Sequence, residues 1–151
     1  MIYYRNDVRR SGVDGRALVT TARRLLAALG EDEAGISLSL IDDAAMRGLN
    51  RHYRGRDAAT DVLSFSLDQT SRADVTERLL GDVVISVDTA KRQAAAYDAP
   101  LQRELYRLLI HGLLHLKGHD HIEPAQRRLM QREERRLADA IALPWPYPER
   151  R

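Results

Sequence analysis

The order of apolar and polar positions resolves the chain into strand-like and helix-like segments. Leu18, Ala22, Leu25 and Leu29 recur at helical spacing, and Gly30 supplies a stop, which predicts a helix over residues 16–29. Ile36-Ser37-Leu38-Ser39-Leu40 alternates strictly, the pattern of a half-buried strand. Residues 2–8 read as an earlier strand. Asp42 or Asp43 is placed to cap a short helix carrying Met46 and Leu49. Two further strands are predicted at 61–67 and 79–87, joined by a polar connection around 68–78. Asp88 is expected to cap a helix running to about Tyr97. Pro100 suits the first turn of the next helix, which continues to about Leu116 and ends at Gly118. Pro124 opens a last, charge-rich helix to about Ala142, and the Leu-Pro-Trp-Pro-Tyr-Pro tail cannot prolong it. Strands gather early and helices late. The expected class is therefore α+β, a mixed sheet of about four strands packed against helices.

Composition narrows this only modestly. A chain of 151 residues suits a single domain over 1–151 with a real core. The 44% apolar and 30% charged fractions are those of an ordinary globular protein, so disorder is not the default. No apolar run approaches the length of a membrane span, and MIYYRNDVRR lacks the apolar stretch of an export signal. Cysteine is absent, which excludes disulfides and thiolate metal sites. These features together favour a cytoplasmic protein with no membrane partner. The net charge of +2 predicts no partner by itself. Lys91 and Lys117 are the only lysines, so nearly all the positive charge is arginine, whose planar fork suits phosphate and carboxylate. Most of these arginines read as solvated surface charge.

The chemistry is concentrated in His111-Gly-Leu-Leu-His-Leu-Lys-Gly-His-Asp-His121, which holds four of the chain's five histidines. His111 and His115 stand four apart on the predicted helix, so both imidazoles face one side and can reach one ion. A turn at Gly118 can return His121 over the same face as a third ligand. Three neutral imidazoles suit Zn²⁺ and leave a fourth position open, the mark of a catalytic rather than a structural site. A water in that position can have a pKa of about 7. The spacing is that of the metzincin proteases, except that Gly112 stands where a protease carries its general-base glutamate. No carboxylate on this helix can replace it, which speaks against peptide hydrolysis by the usual route. His119 is a weaker alternative to His121. Asp120 is a candidate outer partner, accepting a proton from a ligand imidazole, and reads equally well as a residue of the helix-exit turn.

This block resembles the signature of the YbeY family of bacterial metal-dependent endoribonucleases. Two more blocks agree and follow in family order: Leu49-Asn50-Arg51-His52-Tyr53-Arg54-Gly55-Arg56-Asp57 with Thr60-Asp61-Val62-Leu63-Ser64-Phe65, and Leu80-Gly81-Asp82-Val83-Val84-Ile85-Ser86. Ser66 departs from the proline common after the phenylalanine, and the N-terminal region is short. The resemblance implies an α+β fold with one zinc ion in a cleft, held by His111, His115 and His121 at the end of a helix. It implies Arg54 as the catalytic cation that steadies charge developing on phosphorus. It further implies single-stranded RNA as substrate, and the 3′ end of 16S rRNA and the small ribosomal subunit as setting. Arg51 and Arg56 flank Arg54 and can contact RNA phosphates, although a solvated face is the simpler reading of each. Asp61 and Asp82 read as structural, His52 as a surface residue, and the Arg-rich stretch 127–136, with Glu133 and Glu134 interleaved, as a solvated helix face. Two readings compete with the nuclease: a zincin-like peptidase or other metal-dependent hydrolase lacking the usual glutamate, and an RNA-binding module merely stabilised by zinc.

Overall fold

The alternating segments become the four strands of one sheet in the computed structural model, which describes residues 1–67, 78–120 and 122–144. The elements are β1 (Ile2–Asn6), α1 (Gly15–Ala28), β2 (Ala34–Ile41), α2 (Asp43–Arg54), β3 (Val62–Ser66), β4 (Arg78–Ser86), α3 (Val87–Ala96), α4 (Leu101–Leu116) and α5 (Pro124–Ala140). The strands lie in the order β1-β2-β4-β3. The first three of these are parallel and β3 is antiparallel to β4, giving the mixed sheet of the expected α+β class.

The side-chain alternation of the strands sorts the helices between the two faces. Ile36, Leu38, Leu40, Val83 and Ile85 point to one face and form the main core with α1, α4 and α5. Leu63 and Val84 point to the other and meet Met46 of α2, with Leu49 and Phe65 packed beside them. Helix α4 is buried on most of its circumference, as expected of a helix surrounded by others on a sheet. Its polar stripe starts at fully buried Glu104, which accepts from Arg107 Nε at 2.5 Å and from Gln93 of α3 at 2.7 Å. Such a pair is stable in the core because both partners are satisfied.

Among the differences from the sequence reading, three concern where elements start or stop, and the first two follow from side-chain bonds. Strand β1 stops at Asn6 instead of residue 8, because the Asn6 side chain accepts from the Val8 amide at 2.9 Å and donates to Ser11 Oγ at 3.0 Å. Those bonds turn the backbone out of the sheet. Ser86, not Asp88, caps α3. Asp88 instead accepts from the Asp43 amide at 2.9 Å, while Asp43 accepts from Ser86 Oγ at 2.6 Å and Thr89 Oγ1 at 2.7 Å. Each of the two helix N-termini thus supplies an acid to the other, where the helix dipole favours negative charge. The last helix ends at Ala140 rather than Ala142. The connection 68–77, His121 and residues 145–151 lie outside the described residues. Among those described, no helix is long and apolar enough to cross a membrane.

Candidate functional site

The last two turns of α4 carry His111 and His115, both half-buried, on the stripe that begins at Glu104. Their Nε2 atoms lie 3.0 Å apart, with the rings edge to face at 75°. Two imidazole nitrogens bound to one tetrahedral zinc at ordinary bond lengths are about 3.3 Å apart. The pair is therefore set close to the spacing a shared ion requires, and the donor set fits zinc. Helix α4 then ends as the glycine predicts. Gly118 adopts φ 89°, its amide donates to the His115 carbonyl at 3.0 Å, and the His119 amide reaches back to the Leu114 carbonyl at 3.0 Å. This left-handed exit takes the chain off the helix axis at Gly118. Glu31, almost wholly buried, accepts from both Lys117 and Arg78, anchoring the exit to the start of β2 and to β4. Its bond to Lys117 holds the Glu31 carboxyl below the usual carboxylate range, against the opposing effect of burial. His119 and Asp120 follow the turn half-buried, and His121, the expected third ligand, lies outside the described residues.

Gly112 has a packing reason that sequence spacing does not reveal. A Cβ there would meet Val83 Cγ1 at 2.8 Å and Ser64 Oγ at 3.2 Å, and Ser64 Oγ donates to the Gly112 carbonyl at 2.8 Å. Position 112 faces the sheet, so the glycine lets α4 approach β3 and β4. Gly81 plays the matching part on β4, since a side chain there would run into the Phe65 carbonyl.

A carboxylate does approach His111, but from α5. Glu134 Oε2 stands 3.9 Å from His111 Nδ1, with the two side chains 14% and 27% exposed. The sequence reading placed Glu134 on a solvated face because arginines surround it. A period count would have found it: Met130, Leu137 and Ala138 are the buried residues of α5, and Glu134 lies on their stripe at i+4 from Met130.

Arg54 is the last residue of α2, whose body packs on the sheet face opposite α4. The turn after it is firmly braced. Gly55 is left-handed at φ 69°, Asp57 takes two bonds from Arg47 at 2.7 and 2.9 Å, and buried Asn50 donates to the Ala58 carbonyl at 2.7 Å. Arg51, Arg54 and Arg56 are exposed and form no ion pair with a described residue. The structure joins His111, His115 and Glu134, and it does not bring Arg54 into contact with them. Between the two sets runs edge strand β3, with Ser64 against α4 and Phe65 on the side of α2. Asp61 is used locally, accepting from the Val62 amide at 2.8 Å at the start of β3. Asp82, half-buried, sits opposite Phe65 in the sheet. His52 is exposed, as expected of a surface residue.

Comparison with known proteins gives a consistent match. Residues 4–142 fit the family model described as Endoribonuclease YbeY. A protein of that name from Anaeromyxobacter sp. is 52% identical over 128 residues, which is 85% of this chain and 65% of the relative. Another from Myxococcus xanthus is 50% identical over 122 residues, 81% of this chain but 42% of the relative. A third from Desulfitobacterium hafniense is 46% identical over 117 residues, 74% of each. The chain thus spans less than two thirds of the length of the first two. A solution structure of a Thermotoga maritima protein covers 100% of both chains with a TM-score of 0.59 at 22% identity, and so shares the fold.

Proposed function

The chain belongs to the YbeY endoribonuclease family, and from that premise we propose that it is a zinc-dependent endoribonuclease acting on single-stranded RNA. The observation that carries the metal is the 3.0 Å approach of two imidazole nitrogens on the buried helix α4, which ends in a left-handed turn at Gly118. His111, His115 and His121 are the three ligands in this reading. A zinc ion held by them supplies Lewis acidity and an activated water at neutral pH. The residues of the chain do the rest. Glu134 stands 3.9 Å from His111 Nδ1, where its carboxylate favours a proton on that outer nitrogen and leaves Nε2 for the ion. Arg54 offers an uncommitted fork to the phosphate oxygens as their charge grows. Arg51 and Arg56 hold neighbouring phosphates, and Asp120 supports the turn that carries the third ligand. The setting of this reading is maturation of the 16S rRNA 3′ end and quality control of the small ribosomal subunit, in the cytoplasm.

Gly112 turned into the sheet leaves α4 without the protease glutamate, which favours RNA over peptide as substrate. The deciding assay follows purified protein on single-stranded RNA, duplex RNA and an unstructured peptide. Internal cleavage of the single strand is expected, lost on chelation and restored by zinc. Peptide cleavage with RNA left intact would replace this reading by a peptidase.

The role of Glu134 has its own readout in metal affinity. Glu134→Gln keeps the volume and removes the charge, and is expected to weaken zinc binding about 10- to 100-fold in a competitive chelator titration. The melting temperature of the metal-free protein should change little. Unaltered zinc affinity would reduce Glu134 to a space-filling residue.

A further inference from the structure

The apolar stripe of α2 climbs out of the core: Met46 is fully buried, Leu49 half-buried, and Tyr53 is 61% exposed. Burial therefore does not explain the tyrosine, yet its ring is held in place. Phe65 of β3 meets it at 5.1 Å between centroids and 61° between planes, and His52 at 4.5 Å and 89°. Both contacts are steep, so neither neighbour lies flat over the Tyr53 ring. Within three residues stand Arg51, Arg54 and Arg56, exposed and without ion pairs to described residues.

We propose that Tyr53, braced by Phe65 and His52, is a stacking platform for one unpaired nucleobase of the RNA, with the adjacent arginines holding its flanking phosphates. A flat ring beside several uncommitted guanidiniums suits a polyanion that carries flat rings. Stacking of this kind is tolerant of sequence because every base has a π face. The platform rests on the RNA reading above and adds a base-binding subsite to it. Its place in the fold connects it to the histidines. Phe65 supports Tyr53, while its neighbour Ser64 is bonded to Gly112 between the two imidazole-bearing positions of α4. The outer side of β3 carries no strand among the described residues. A nucleotide chain crossing that edge reaches both faces.

The test is equilibrium binding of a short fluorescent single-stranded RNA to the zinc-loaded protein, followed by anisotropy at low temperature with a gel control that the RNA stays intact. Tyr53→Leu retains apolar packing on Phe65 and lacks a π face. It is expected to weaken binding about 5- to 150-fold at an unchanged melting temperature. Tyr53→Phe and Tyr53→Trp should stay within about threefold of wild type, because both keep an aromatic face. Moving an abasic site along the RNA should find one position that weakens the wild type and leaves Tyr53→Leu unaffected. Wild-type affinity in Tyr53→Leu, or an equal loss with polyphosphate, which has no bases, overturns the platform and leaves the nuclease reading standing. Failure of the wild type to bind single-stranded RNA overturns both.

Discussion

His115→Ala is expected to lose zinc and, with it, RNA cleavage, while the fold survives. His115 is half-buried in the last turn of α4 and is not among the core residues that pack the helix on the sheet. Truncating it removes one of three nitrogen donors. Zinc sites of four ligands bind with about 10–16 kcal/mol, so one donor is worth roughly 3–4 kcal/mol, or a factor of about 10² to 10³ in affinity. Metal content after dialysis should fall well below one ion per chain, and cleavage should fall at least as far. His111→Ala should behave alike, and His121→Ala tests the third ligand assigned by spacing and resemblance. His119→Ala separates the alternatives, because it should retain the ion if His121 is the ligand. A His115→Ala protein that loses zinc yet cleaves RNA at the wild-type rate would remove the metal from the mechanism.

The elements were legible in the sequence wherever a local signal dominates. Strict alternation over 36–40 marks β2, and the helical recurrence after Arg16 marks α1. Gly118 reads as the left-handed exit that the backbone adopts. What was not legible depends on partners distant in the chain. Asp88 looks like the cap of its own helix and instead serves α2, because the two helix starts converge on the end of β4. Gly112 looks like a missing glutamate and is a contact with Val83 and Ser64. Glu134 was hidden by the charge of its neighbours, although its period within α5 pointed inward. The histidine pair could be read because both members sit on one helix. Arg54 is singled out only by resemblance, since nothing in its own surroundings distinguishes one exposed arginine from another.

Arg54→Ala is the second large effect expected, and its signature differs from that of the histidines. The side chain leaves the end of α2 beside a left-handed Gly55, and two bonds from Arg47 to Asp57 fix the turn that follows. Its guanidinium forms no ion pair with a described residue, so the folded protein loses little by its removal. Zinc content and melting temperature should match the wild type. A donor aimed at charge that develops in the transition state is worth about 10²- to 10³-fold in kcat, and a loss of that size is expected here. Arg54→Lys should recover only part of it, because an ammonium cannot hold two phosphate oxygens in the plane of a fork. Arg51→Ala and Arg56→Ala should instead raise KM and flatten the salt dependence of binding with kcat nearly unchanged, as befits contacts to neighbouring phosphates. The split between kcat and KM is decisive because Arg54 does not touch the histidines. If it acts only on RNA binding, its loss appears in KM alone, and the catalytic cation must be sought elsewhere. If kcat falls at full zinc occupancy, the substrate itself must carry the connection across β3, with its reacting phosphate against α4 and its oxygens within reach of the end of α2.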